Sequence, residues 1–196
     1  MANGSFEPPV EGPLNHYAYI HRLLHWLIAV LVLYSLTSGM TLGSLGFEGS
    51  VETFGRAATD TIYTLHKTSG VLILGLMVLR LVSRLTNGKP PYAVPLPTFH
   101  RLASGLVHTL LYVLLLTMPI LGWLATASGD FPVQFFAWNL PRLIGVDEAL
   151  SETLFLWHGR VGVLILLLAT LHIAAALYHW LIRKDGVMAR MSLFRH

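Results

Sequence analysis

Two histidines, His158 and His172, stand fourteen residues apart in the apolar stretch LWHGRVGVLILLLATLHIAA, residues 156–175. On a helix rising ~1.5 Å per residue they lie ~21 Å apart along the axis and ~40° apart around it, so they share a face. A single zinc or copper ion is excluded, because its ligands must converge within about 2 Å of one point. The spacing suits two separate centres, stacked one near each end of the helix.

Each centre then needs a second ligand at matching depth. His66 lies six residues inside Asp60, and His158 lies six residues inside Glu152. If both helices run in the same direction, both imidazoles sit ~9 Å below the same surface. At the other level, His25 opens the first apolar run and His172 lies near the end of the last. The pairs expected are His66 with His158, and His25 with His172. Two facing imidazoles without further ligands suit bis-histidine haem, a flat group that inserts between the helices of a bundle. Small residues four positions on, Ala29, Gly70, Gly162 and Ala176, leave room for it.

The other histidines have plainer readings. His21 is one turn from His25 on the same face and rivals it, though its place beside Arg22 is shallower. His108 reads as a satisfied packing histidine, His100 as interfacial, and His16 and His196 as solvated. His179, two turns beyond His172, is either interfacial or functional.

These side chains must be carried by membrane helices. Of 196 residues, 54% are hydrophobic and only 12% charged, about half the charged share of a soluble domain. Four runs, about 23–42, 61–85, 102–126 and 154–182, reach the ~20 residues that a hydrocarbon core of ~30 Å requires. Backbone groups in lipid must pair within their own segment, so the fold expected is an all-α membrane protein, a four-transmembrane-helix bundle enclosing two b-type haems. Pro119 predicts a kink in the third run. The whole chain, 1–196, reads as one membrane domain with a polar N-terminal tail, 1–15, and no cleaved signal peptide. No Asp or Glu lies in the four runs, which leaves carboxylate relays for ion transport nothing to stand on. With no cysteine, disulfides, iron–sulfur clusters and covalent haem attachment are excluded.

Charge gives orientation. Nine of the thirteen Lys and Arg flank the termini and second loop, whereas Arg56, Lys67, Arg142 and Arg160 flank the other side with seven of the ten acids. The positive-inside rule puts both termini in the cytoplasm. The cations form no stripe, so nucleic acid is not an expected partner. The second loop, NGKPPYAVPLP, reads as a stiff connector, and FPVQFFAWNLP as an interfacial segment too short to span.

The motifs RLLHW (22–26), HKTSG (66–70), HTLLYVLLLTMPILGW (108–123), WHGRVG (157–162), LHIAAALYHW (171–180) and RKDGVMARM (183–191) resemble the bacterial cytochrome b561 family over roughly residues 15–192. The resemblance implies a di-haem b protein of the bacterial inner membrane, with ligands at His25, His66, His158 and His172, and it favours His25 over His21. One family member oxidises superoxide on the periplasmic side and reduces ubiquinone on the cytoplasmic side. Others are electron-transfer subunits serving a partner protein. Here the resemblance implies a role in quinone binding for His179, to which we add Arg101 or His108 as further polar donors. The family's second-loop lysine position reads as Pro95, with Lys89 and Arg101 the nearest basic residues. Lys67 and Arg160, beside the outer ligands, are expected to steer a small anion or to pair haem propionates. Arg22, Arg80 and Arg84 are expected to do the same for the inner haem. Partners expected are membrane lipid, quinone, superoxide or another periplasmic donor, and either a redox partner protein or a second copy of the chain. Nothing in the sequence assigns a separate catalytic residue.

Overall fold

A computed structural model describes residues 16–88, 90 and 98–194. The tail 1–15, Lys89, the Pro95 position and His196 lie outside the described residues. Four long helices dominate: α1 (Tyr19–Phe54), α2 (Arg56–Asn87), α3 (Thr98–Ser128) and α4 (Glu148–Tyr178). All four have the length and composition to cross a membrane.

The helices outrun the apolar runs because hydropathy marks the lipid-immersed part, whereas a helix continues until its backbone is interrupted. In α1 the interruption is Gly46, whose φ of 66° leaves the helical region and divides the long apolar part from a short C-terminal segment. Gly55, at φ 80°, separates α1 from α2. α4 starts where the Asp147 carboxylate accepts the Leu150 amide at 3.0 Å, with Glu148 in the first turn to meet the helix dipole. It ends in a π-helical turn, His179–Arg183, closed by Lys184 in the left-handed region. α3 runs through Pro119 as one helix. Neighbouring helices in a bundle can satisfy the backbone groups that a proline frees.

The segment 133–140 forms a two-stranded antiparallel hairpin, β1 (Val133–Phe135) and β2 (Trp138–Leu140), with Phe135 opposite Trp138. It folds over the N-terminal half of α2, where the Phe136 amide donates to Thr68 Oγ1 at 2.9 Å. At the opposite end, the Tyr17 amide donates to the Arg190 carbonyl at 3.4 Å, so the first and last described segments meet at one end of the bundle.

α1 packs on α2, α3 on α4, and α2 on α3, whereas α1 and α4 barely touch. Ser35 and Ser69 hydroxyls, 2.7 Å apart, join α1 to α2. The core is a thin apolar layer of Leu24, Ile28, Val32, Ile73, Met77 and Ile165. Outside it, Leu167 and Ile182 are 62% and 69% exposed, as lipid-facing residues should be. Lipid tails are as apolar as these side chains, so close packing and interhelical hydrogen bonds hold the helices together more than hydrophobic burial does.

Candidate functional site

Ile165, 2% exposed, stands midway between His158 and His172 on α4, seven residues from each. The apolar layer therefore divides the bundle into two levels, and each level holds one pair of imidazoles.

At the hairpin end, His66 on α2 faces His158 on α4, with ring centroids 6.2 Å apart and planes at 80°. At the tail end, His25 on α1 faces His172 on α4, with centroids 6.1 Å apart and planes at 83°. One metal–imidazole bond of about 2 Å on each side, plus about 1.1 Å from nitrogen to ring centre, sums to about 6.2 Å. Both pairs therefore have the separation that a single iron between them would require. Among the described residues no three His, Cys, Asp or Glu converge as a metal-ion site, so pairs are what the fold offers. Between the outer imidazoles lies a cleft walled by all four helices, through residues such as Val32, Gly70, Leu115 and Ile165. Beyond its own stretch of helix, no atom lies within 4 Å of the point where a Gly70 Cβ would stand, which leaves the space a flat ligand needs.

The outer rings are held from behind. Ser38 Oγ donates to the Tyr34 carbonyl at 2.9 Å, so its lone pair accepts the Nδ1–H of His66 at 3.0 Å. The Met118 carbonyl accepts the Nδ1–H of His158 at 3.1 Å. In both rings the proton sits on Nδ1, which leaves Nε2 with its lone pair for ligation. Glycines complete the seats. A Cβ on Gly39 would stand 2.8 Å from His66 Cε1, and one on Gly122 would stand 2.9 Å from His158 Cε1.

The inner rings are packed among aromatic groups instead. Trp26 lies 5.4 Å from His25, and His108 lies 5.1 Å from His172. The His108 Nδ1–H donates to the Ser104 carbonyl at 2.6 Å. His21 stacks on Tyr17 at 5.2 Å, so of the two rivals it is His25 that meets His172. The Trp26 indole N–H donates to the Met191 carbonyl at 2.8 Å, and Arg22 Nη1 donates to the Ser192 carbonyl, which binds the C-terminal segment across the start of α1.

Cations gather at this level. Arg80 is buried, with Nη1 on the His21 carbonyl at 3.0 Å and Nε on the Tyr112 hydroxyl at 3.1 Å. Arg22 is buried too, and its Nε has no hydrogen-bond partner among the described residues. Neither guanidinium meets a carboxylate among the described residues, and a buried charge left so calls for an anion. The propionates of a haem have that chemistry. Arg84 is half-buried nearby in sequence, one turn further along α2.

The remaining residues singled out in the sequence are dispersed. Lys67 Nζ donates to the Pro132 carbonyl at 2.9 Å and to Gln134 Oε1 at 3.2 Å, clamping the hairpin over α2. Arg160 is exposed and lies over the Trp157 ring at 5.1 Å. His179 Nδ1 is 2.6 Å from Asp185 Oδ2, which Arg183 Nε also approaches at 3.4 Å. Arg101 and His100 are exposed at the start of α3. His16, read as solvated, is half-buried. Ser38, Gly39, Met118, Gly122, Trp26 and Asp185 were not picked out by sequence reasoning. Glycines inside apolar helices were the one visible signal, and it pointed equally to Gly43 and Gly75.

Comparison with known proteins places the chain in a family. A family model described as prokaryotic cytochrome b561 matches residues 16–192. Cytochrome b561 homolog 2 of Escherichia coli K12 is 27% identical over 181 residues, which cover 90% of this chain and 91% of that protein. Cytochrome b561 homolog 1 of the same organism is 23% identical over 178 residues, 91% and 97% of the two chains. The probable superoxide oxidase CybB of Yersinia pestis is 26% identical over 178 residues, 89% and 94%. With nearly all of its described length matched and four helices able to span a bilayer, the chain belongs to the prokaryotic cytochrome b561 family, multi-pass bacterial membrane proteins of electron transfer whose name implies b-type haem.

Proposed function

We propose that this protein holds two non-covalent haems b, one between His66 and His158 and one between His25 and His172, and carries electrons from a periplasmic donor to ubiquinone. Superoxide is the donor we favour. The observation that carries the reading is the repeated pair geometry, 6.2 Å and 6.1 Å between ring centroids at two levels of one bundle. The charge asymmetry supports a hairpin end facing the periplasm and both termini in the cytoplasm of an inner-membrane protein.

A haem held by each imidazole pair would supply one-electron transfer. The chain's residues do the rest. Ser38 and Met118 fix the outer tautomers, while Gly39 and Gly122 let α1 and α3 close on the rings. Arg22, Arg80 and Arg84 balance the inner propionates. Exposed Arg160 steers an anion towards the outer edge or pairs a propionate there. Lys67 contributes its charge beside His66 while its ammonium holds the hairpin. Two superoxide anions give up one electron each and leave as oxygen. Ubiquinone takes both electrons and two protons from the cytoplasmic side. His179, oriented by Asp185, is the donor we assign to a quinone carbonyl, with Arg101 and His108 on α3 as the further polar candidates.

Stopped-flow mixing of the purified protein with superoxide and a short-chain ubiquinone tests this reading. Haem reduction followed by quinol formation is expected, slowed by Arg160→Gln and made less salt-dependent. A protein that superoxide leaves oxidised would sink the donor assignment. One observation favours a second reading, a subunit that receives electrons from a periplasmic partner protein. Phe136 and Trp138 on the hairpin are 56% and 71% exposed, an aromatic surface at the end where such a partner would dock.

A further inference from the structure

The two imidazole pairs are alike in separation and unlike in what their outer nitrogens do. Both outer rings give their Nδ1–H to an oxygen, His66 to Ser38 Oγ and His158 to the Met118 carbonyl. Neither His25 nor His172 makes a hydrogen bond through its ring among the described residues; their neighbours are the rings of Trp26 and His108. An imidazole that donates a hydrogen bond through the nitrogen remote from the metal becomes a more basic ligand, and a more basic ligand favours the oxidised, more positive iron.

Charge works in the same direction. Buried Arg80 donates to the His21 carbonyl, one turn of α1 from His25, and a cation in a medium of low polarity favours the reduced iron. The outer pair also has a cation, Lys67 beside His66, but it is half-exposed at the hairpin and screened by water and ions.

We propose that Ser38 and the Met118 carbonyl set the order of the two haem potentials: by accepting the Nδ1–H of both outer imidazoles, they hold the outer centre at a lower potential than the inner one. Electrons arriving at the hairpin end then run downhill towards the tail end, with no moving part. Ser38 is on this view a positioning residue, acting through His66. The proposal rests on the two-haem reading above.

Spectroelectrochemical titration of the purified protein, with haem content measured in parallel, tests it. Wild type should show two waves, and the lower one should shift upward in Ser38→Ala, stay in place in Ser38→Thr, which keeps a hydroxyl, and leave the upper wave unmoved. Should Ser38→Ala lose a haem, the missing wave must be the lower one. With two haems retained, an upper wave that moves, or no wave that moves, overturns the proposal and leaves the two-haem reading standing. Fewer than two haems in wild type overturns both.

Discussion

At the hairpin end, each imidazole leans on a helix that supplies no ligand to its partner: α1 offers His66 a hydroxyl and a glycine, and α3 offers His158 a carbonyl and a glycine. At the tail end, the rings rest on Trp26 and His108, two buried arginines stand close by, and the C-terminal segment ties the arrangement down. The difference teaches that the same ligand pair can be fixed either by backbone and hydroxyl oxygens at set distances or by packing of adaptable rings. At Gly39 and Gly122 an added carbon would force the facing imidazole to shift. The inner seat depends on a segment remote in sequence. Between them, Ile165 and its neighbours keep the two imidazole pairs apart with an apolar layer.

Replacing one ligand should separate the levels most sharply. His66→Ala is expected to lose the outer haem alone, roughly halving the reduced absorbance, and His25→Ala the inner haem alone. Loss of both haems from either variant would show that the levels are not independent. Next in size is the effect of a single methyl group. Gly39→Ala and Gly122→Ala place a carbon 2.8 and 2.9 Å from an imidazole, a misfit that costs about 1–3 kcal/mol if the backbone holds. A perturbed outer haem spectrum and an unchanged inner one are expected. Gly43→Ala, one turn along α1 with no atom within 4 Å, is the control and should change neither.

Trp26→Phe removes the indole N–H that holds the Met191 carbonyl, a hydrogen bond of about 1 kcal/mol. Faster proteolysis of the C-terminal segment and a small shift confined to the inner haem band should follow. If the outer band moves instead, the link from tail to His25 is wrong. The smallest effect belongs to Gln134→Ala, which removes one oxygen from the Lys67 clamp but leaves the Pro132 carbonyl in place. Amide exchange in the hairpin should rise, with both haems retained.

Much of this was legible in the sequence. Four runs of sufficient length and low charge gave the bundle, and counting residues inward from Asp60 and Glu152 matched the depths of His66 and His158, because helical rise is nearly constant. The shallower place of His21 and the family resemblance both favoured His25, and the structure sets His25 against His172. The seats were not readable in this way. Ser38 and Gly39 matter because of what α2 brings against them, and in sequence they look like any small residues of a membrane helix. Gly46 interrupts α1 with a positive φ, whereas α3 stays one helix through Pro119. Tertiary packing decides such points, not propensity. The His179–Asp185 contact crosses a π turn and a left-handed Lys184, so helical periodicity does not reveal it.

Haem content per chain is the most direct measurement of the central claim, taken from the pyridine haemochrome of the wild-type protein and of the His158→Ala/His172→Ala variant. Two non-covalent haems b in the wild type and none in the variant are predicted. Fewer than two in the first, or two still present in the second, would contradict it.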